Sequence, residues 1–249
     1  MRTEDGPTSS AASASSYQLP IEYHAGDFCG LLYRVEPARA YALCAELSVE
    51  PWLVFGRAVA GVYAWQYRET SIGPYAELGI GILARRRGQR PSLWRLALDT
   101  GAQEAQALWV VALPVTTELA CNAGRQLWGY PKYVTSIETT FDDRAARVRL
   151  GSELELELAA VRGAPRVMPI ATFTQLDGQL LRTRIDVRCA PRLGVPRRAA
   201  LRLLGADGPC ARAVRELGLH ALSPSLAFHT RDFRASLPAG THLGPAHRA

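Results

Sequence analysis

The stretch ELACNAGRQLWGYPKY, Glu118–Tyr133, decides how the rest of the chain reads. Lys132 is the only lysine among the 29 Lys and Arg residues of the protein. On a solvated surface either side chain supplies a positive charge, so a preference for arginine explains the others and leaves this exception standing. Lysine can do what arginine cannot: lose its proton near neutral pH when desolvated and attack a carbonyl as a free amine. The count alone equally allows a surface lysine that escaped replacement. Its neighbours shift the reading toward chemistry, because Trp128, Tyr130 and Tyr133 can wall off water, and desolvation disfavours a charged amine. Thr116 and Thr117 can cap a helix from about Glu118 to Gly129, which sets Lys132 just past a helix end.

Outward from this stretch the chain is rich in strand signals. Phe28–Val35 suits a strand, and Pro37 then opens a helical stretch to about Leu47. PWLVFGRAVAGVYAWQY and YAELGIGILA carry Val, Ile, Tyr and Trp with glycines that suggest bends in strongly curved strands. Residues 84–99 read as a basic surface loop, and Leu108–Val115 as a short buried strand. After Lys132, YVTSIETTF and AARVRL read as strands, and ELELELA alternates with Leu154, Leu156 and Leu158 inward. Asp177-Gly178 marks a hairpin turn. A helix over Cys210–Leu217 precedes a last strand near Leu222–Phe233. No composition shift divides the chain. The reading is one strand-rich α+β domain over residues 17–238, built on a large curved antiparallel sheet or barrel, with a disordered tail at 1–16 and a C-terminal tail at 239–249.

Bulk properties narrow the function. The 249 residues have 48% hydrophobic and 21% charged content, an ordinary globular composition. A net charge of +6 invites a nucleic-acid reading, but only Arg85-Arg86-Arg87 and Arg197-Arg198 cluster, and neither is interleaved with aromatics as single-strand binders require. No nucleic-acid partner is expected. Five dispersed cysteines, an odd number, argue against a disulfide framework and for a reducing compartment, the cytoplasm. Histidines and carboxylates lack metal-site spacing, so no metal is expected. The longest apolar run, Ala105–Cys121, contains Pro114 and Glu118 and makes a poor membrane span, so no membrane partner is expected either.

With these residues set out, the segment ending in Lys132 resembles the acetoacetate decarboxylase family, whose members carry E-x-A-x-x-x-G-R-E-x-x-x-[YF]-P-K ending in a Schiff-base lysine. Glu118, Ala120, Gly124, Arg125, Tyr130, Pro131 and Lys132 match, and Gln126 stands in place of the last Glu. PYAE resembles the family's Tyr-x-Glu segment and assigns its active-site glutamate to Glu77. The resemblance spans roughly Tyr17–Pro238. It implies a cone-like, strand-rich β-barrel, a homo-oligomer, and no metal or organic cofactor. It also implies a lyase that condenses Lys132 with an oxo acid or related ketone, decarboxylase-like, or a related aldolase or dehydratase. Acetoacetate decarboxylase is itself the familiar example of a lysine activated by a desolvating pocket or a neighbouring cation.

Two positions depart from the family. Tyr133 follows Lys132 where the decarboxylases have a second lysine, and Gly26 stands where they have an arginine for the substrate carboxylate. Activation of Lys132 therefore has to come from burial or from an arginine brought near by the fold, with Arg125 the nearest in sequence. The expected site is Lys132 and Glu77 as catalytic residues, with Arg125 and Tyr133 binding substrate. A non-catalytic protein using the same pocket for a hydrophobic carbonyl ligand is the alternative.

Overall fold

The computed structural model describes residues 17–89, 105–167 and 170–247. Its elements run β1 (Ile21–Val35), α1 (Pro37–Ala42), β2 (Val49–Pro51), β3 (Leu53–Val54), β4 (Arg57–Thr70), β5 (Tyr75–Arg86), β6 (Gln106–Ala112) and α2 (Glu118–Trp128). They continue with β7 (Ile137–Phe141), β8 (Ala145–Leu150), β9 (Leu154–Pro165), β10 (Ile170–Leu176), β11 (Gln179–Val187) and β12 (Arg192–Leu203). The chain then forms α3 (Pro209–Leu217), a 3-10 turn, β13 (Leu226–Thr230), β14 (Ala235–Leu237) and β15 (Thr241–Pro245).

The long strand β1 organises the sheet. One edge pairs with β4 from Tyr23 to Val35, with a bulge around Ala25 and Gly26. Its other edge is shared: Ile21–Tyr23 pair with β14, and Phe28–Leu32 pair with β13. Through β14 the sheet returns by β11, β10, β6 and β5 to β4, closing a barrel of seven strands. Through β13 it leaves the ring by β12, β9, β8 and β7. All pairings in the ring are antiparallel except β6 with β10. A barrel that closes over part of β1 and splays over the rest widens toward one end, the cone that the resemblance implies.

Two apolar cores follow from the period-two alternation of strands. On β5, Ala76, Leu78, Ile80 and Ile82 face one core, where Leu154, Leu156 and Leu158 of β9 are buried as the sequence reading expects. Glu77, Gly79 and Gly81 face the barrel interior, where the two glycines carry no side chain to fill it. The alternation thus keeps one side of the wall solid and the other hollow.

The structure corrects several boundaries. The segment after Pro238 read as a tail contains a strand: β15 pairs with β11, and Ala246 is buried. Helix α1 stops at Ala42 instead of Leu47, and Leu47 forms a bridge with His247. Strand β5 continues to Arg86, into the segment read as a loop, and residues 90–99 lie outside the described residues, as do 1–16. The hairpin at Asp177-Gly178 has positive φ at both positions, 49° and 73°, as the two-residue turn between β10 and β11 demands.

Candidate active site

Lys132 is brought to Glu77 by a short ladder of backbone. Helix α2 is capped by Thr117, whose side chain accepts from the Ala120 N–H, and ends at Gly129 in the left-handed conformation with φ 63°. A Cβ on Gly129 would lie 1.9 Å from the Gln175 carbonyl oxygen, so only glycine fits both the turn and the contact. Past the turn the chain runs beside residues 113–115: the Leu113 N–H donates to the Pro131 carbonyl at 3.3 Å and the Val115 N–H to that of Tyr133 at 2.9 Å. Val115 in turn bridges to Glu77 on β5.

The result is a buried ion pair. The Lys132 Nζ donates to Glu77 Oε2 at 2.6 Å, with only 5% and 9% of the two side chains exposed. Gly124, one turn from the end of α2, makes room for the amine's stem: a Cβ there would stand 2.5 Å from Lys132 Cδ. The Tyr75 and Tyr130 rings lie 5.6 and 5.7 Å from Nζ, close enough for cation–π attraction. The Tyr67 hydroxyl donates to Glu77 Oε1 at 3.5 Å, and the Tyr23 and Tyr75 hydroxyls share a 3.1 Å hydrogen bond. Burial pushes the hydroxyls of Tyr23, Tyr67, Tyr75 and Tyr130 well above the ordinary tyrosine range, and the Glu77 charge adds to it. These phenols therefore stay protonated and can act as hydrogen-bond donors around the amine.

Lys132 and Glu77 both line the interior cavity of the barrel, whose volume is about 920 Å³. Two other predicted site residues are elsewhere. Arg125 is exposed on α2 and is not on the cavity wall, so it neither meets a ligand there nor serves as the cation beside Lys132. Tyr133 points to the opposite side from Lys132, as neighbours in extended backbone must, and its hydroxyl donates to Glu153 Oε1 at 3.0 Å. Trp128 is buried beneath Tyr130, its indole N–H donating to the Pro238 carbonyl at 2.8 Å. Sequence reasoning missed Tyr23, Tyr67 and Tyr75. For Tyr67 a signal was present, since Tyr63, Trp65 and Tyr67 recur with period two and so share one face of β4.

The family model described as acetoacetate decarboxylase (ADC) matches residues 5–176, more than half of the chain. The chain belongs to the acetoacetate decarboxylase family. Solved structures agree on the fold of this family member. An acetoacetate decarboxylase from Legionella pneumophila subsp. pneumophila str. Philadelphia 1 is 15% identical, with 94% of this chain and 93% of that one covered at a TM-score of 0.66. The enduracididine biosynthesis enzyme MppR, complexed with the condensation product of pyruvate and imidazole 4-carboxaldehyde, is 16% identical, with 93% and 92% covered and a TM-score of 0.63. An acetoacetate decarboxylase-like enzyme from Sphingomonas wittichii RW1 is 16% identical, with 97% and 100% covered and a TM-score of 0.62. No curated protein matches the chain.

At Gly26, where the sequence resemblance set an expected arginine, the structure has the β1 bulge. A Cβ on Gly26 would lie 3.0 Å from the Gln66 carbonyl oxygen and 3.5 Å from the Tyr67 ring. Among the described residues no cluster of metal-ligating side chains is found, and no helix is long and apolar enough to cross a membrane.

Proposed function

We propose that the protein is a Schiff-base lyase in which Lys132 condenses with the carbonyl of an oxo acid or ketone. The observation that carries this reading is the 2.6 Å contact between Lys132 Nζ and Glu77 Oε2 on the wall of a large, mostly apolar cavity. A buried ion pair is a costly element of a fold, and a chain that keeps its one amine in such a place supports a chemical use for it. With Tyr133 turned away, and Lys132 the cation paired with Glu77 among the described residues, Glu77 is the group that takes the amine's proton along the short hydrogen bond.

The free amine attacks the carbonyl carbon, and the carbonyl oxygen leaves as water after accepting two protons. This forms a C=N bond with a cationic nitrogen. That nitrogen accepts the electron pair released when an adjacent bond breaks: a C–C bond with loss of carbon dioxide, or a C–H bond whose proton goes to a base. Either route yields an enamine, which takes up a proton, or attacks a second carbonyl in the aldolase-type reaction. Water then hydrolyses the imine and frees Lys132. Tyr67, hydrogen-bonded to Glu77, and the other buried phenols hold protons next to these steps. The placement of Gly26 favours chemistry that does not need an arginine at that position to hold a carboxylate beside the reacting carbon.

Cyanoborohydride trapping with acetoacetate, pyruvate and larger oxo acids, followed by peptide mass mapping with the N-terminal amine blocked, tests the assignment. An adduct on the peptide carrying Lys132 supports it; an equal adduct in Lys132→Arg refutes it, since the chain has no other lysine. The reading extends to a cytoplasmic homo-oligomer. Five buried, unpaired thiols and the multimeric habit of the family support this, and light scattering of the purified protein checks the assembly.

A further inference from the structure

The cavity is far larger than a small oxo acid requires. Its volume of about 920 Å³ lies near the top of the range for pockets that enclose drug-sized ligands. Its shape follows β4. Trp65 pairs with Glu77, so it marks the level of the reacting amine, and Tyr63 and Val59 follow on the same inward face. Val59 pairs with Arg34 of β1. The six residue steps from Trp65 to Val59 cover about 20 Å of strand. Between the two ends the wall is aromatic, with Phe28 stacked on Trp65 at 5.1 Å and Tyr63 on Trp65 at 6.0 Å between ring centroids.

The two ends differ in charge. Besides Lys132, already paired with Glu77, the described wall carries two cations, Arg34 and Arg166, and a ligand carboxylate beside the amine would face the Glu77 carboxylate. At the outer end Arg34 is exposed and has no carboxylate partner among the described residues. It also borders a second cleft, of about 340 Å³, whose wall includes Arg39, Arg57, Arg215 and His220. Arg57 and Arg215 are paired with Glu36 and Asp207, while Arg39 donates to the carbonyls of Arg215 and Glu216. Positive charge therefore collects around Arg34, remote from the amine along β4, with apolar surface between.

We propose that the substrate is a long amphiphilic ketone, with its carbonyl at Lys132, an apolar body along the aromatic face of β4, and an anionic group, carboxylate or phosphate, at Arg34. This rests on the imine reading and specifies what it acts on. Apolar burial supplies the affinity, the amine selects the carbonyl, and the charge at the mouth sets the direction of entry. A small β-oxo acid fills little of this space and brings its charge to the wrong end.

The test is a series of methyl ketones of increasing chain length, each made neutral, with a terminal carboxylate and with a terminal phosphate. Binding is read by calorimetry in Lys132→Gln, where no imine can form, and trapping by cyanoborohydride in the natural chain. Affinity should rise by about fourfold per added methylene until the tail reaches the mouth. At that length the charged forms should exceed the neutral one by about three- to tenfold, and Arg34→Gln should bring that ratio to about one. Short ketones binding and trapping as well as long ones, or a charged-to-neutral ratio that Arg34→Gln leaves intact, would overturn the proposal while leaving the imine reading in place. Long ketones that bind but never trap would instead overturn the imine reading, and the assignment of a substrate falls with it.

Discussion

Lys132 and Tyr133 are adjacent in the chain, and each meets a buried glutamate, on opposite sides of one extended segment. Lys132 reaches Glu77 at the wall of the barrel cavity. Tyr133 reaches Glu153, whose other oxygen accepts from the Cys210 and Ala211 N–H groups at 3.0 and 3.1 Å. Those amides are the first turn of α3, where the helix dipole favours a negative charge and the Gly208 N-cap offers no side chain of its own. A Cβ on Gly208 would stand 1.9 Å from the Glu153 carboxyl carbon, so the glycine admits the carboxylate that caps the helix. Glu153 is thus satisfied from several sides and has a structural role. Glu77 has one strong partner, an amine that a ligand can claim, and open space beside it. What separates a reactive carboxylate from a structural one here is which groups satisfy it and whether a third molecule can reach the pair.

That contrast can be broken most sharply at the amine. Lys132→Arg should abolish trapping and lower turnover by at least about a thousandfold, because a guanidinium keeps its charge and cannot form the imine. Turnover within tenfold of the natural chain would end the assignment. Glu77→Gln comes next, since it retains the shape but removes the proton acceptor. Single-turnover imine formation should slow by about a hundredfold to ten-thousandfold, whereas Glu153→Gln should leave that rate alone and lower the melting temperature. Gly124→Ala should slow trapping by about a hundredfold through displacement of the lysine stem, with secondary structure retained by circular dichroism.

Smaller effects concern stability. The phenols around the amine have folded-state pKa values raised above the unfolded value of 10.0. Below pH 10 both states keep these protons and stability is full. Above it the unfolded chain loses them first, so stability should fall as pH rises, by about 1.4 kcal/mol per pH unit for each such tyrosine. Chemical denaturation across this range checks the slope, and Tyr67→Phe should make it shallower. Tyr133→Phe is the mildest change. It should cost about 1.5–3 kcal/mol by removing a hydrogen bond to a buried charge, with trapping at Lys132 unaltered. Loss of trapping in that variant would mean that the two sides of the segment are coupled.

Much of the fold was legible in short-range pattern. The Glu/Leu alternation of β9, the Asp177-Gly178 turn, and the Thr117 and Gly129 ends of α2 are each dictated by local backbone geometry. The C-terminal strand β15 was not, because THLGP carries no alternation of its own and becomes a strand only by pairing with β11. The tyrosines around the amine, from β1, β4 and β5, come from segments far apart in sequence, and no local signal announces their convergence.

The chain alone determined that a single lysine follows a helix end in a motif shared with a decarboxylase family, and that resemblance pointed to Glu77 as an active-site glutamate. Only the tertiary structure decided which neighbours attend that amine. A run of residues sets the alternation of side chains along a strand, but which face is hollow and which is filled depends on what packs there. Closure of the barrel put Lys132 on the hollow side and Tyr133 on the filled one, and left Arg125 in solvent.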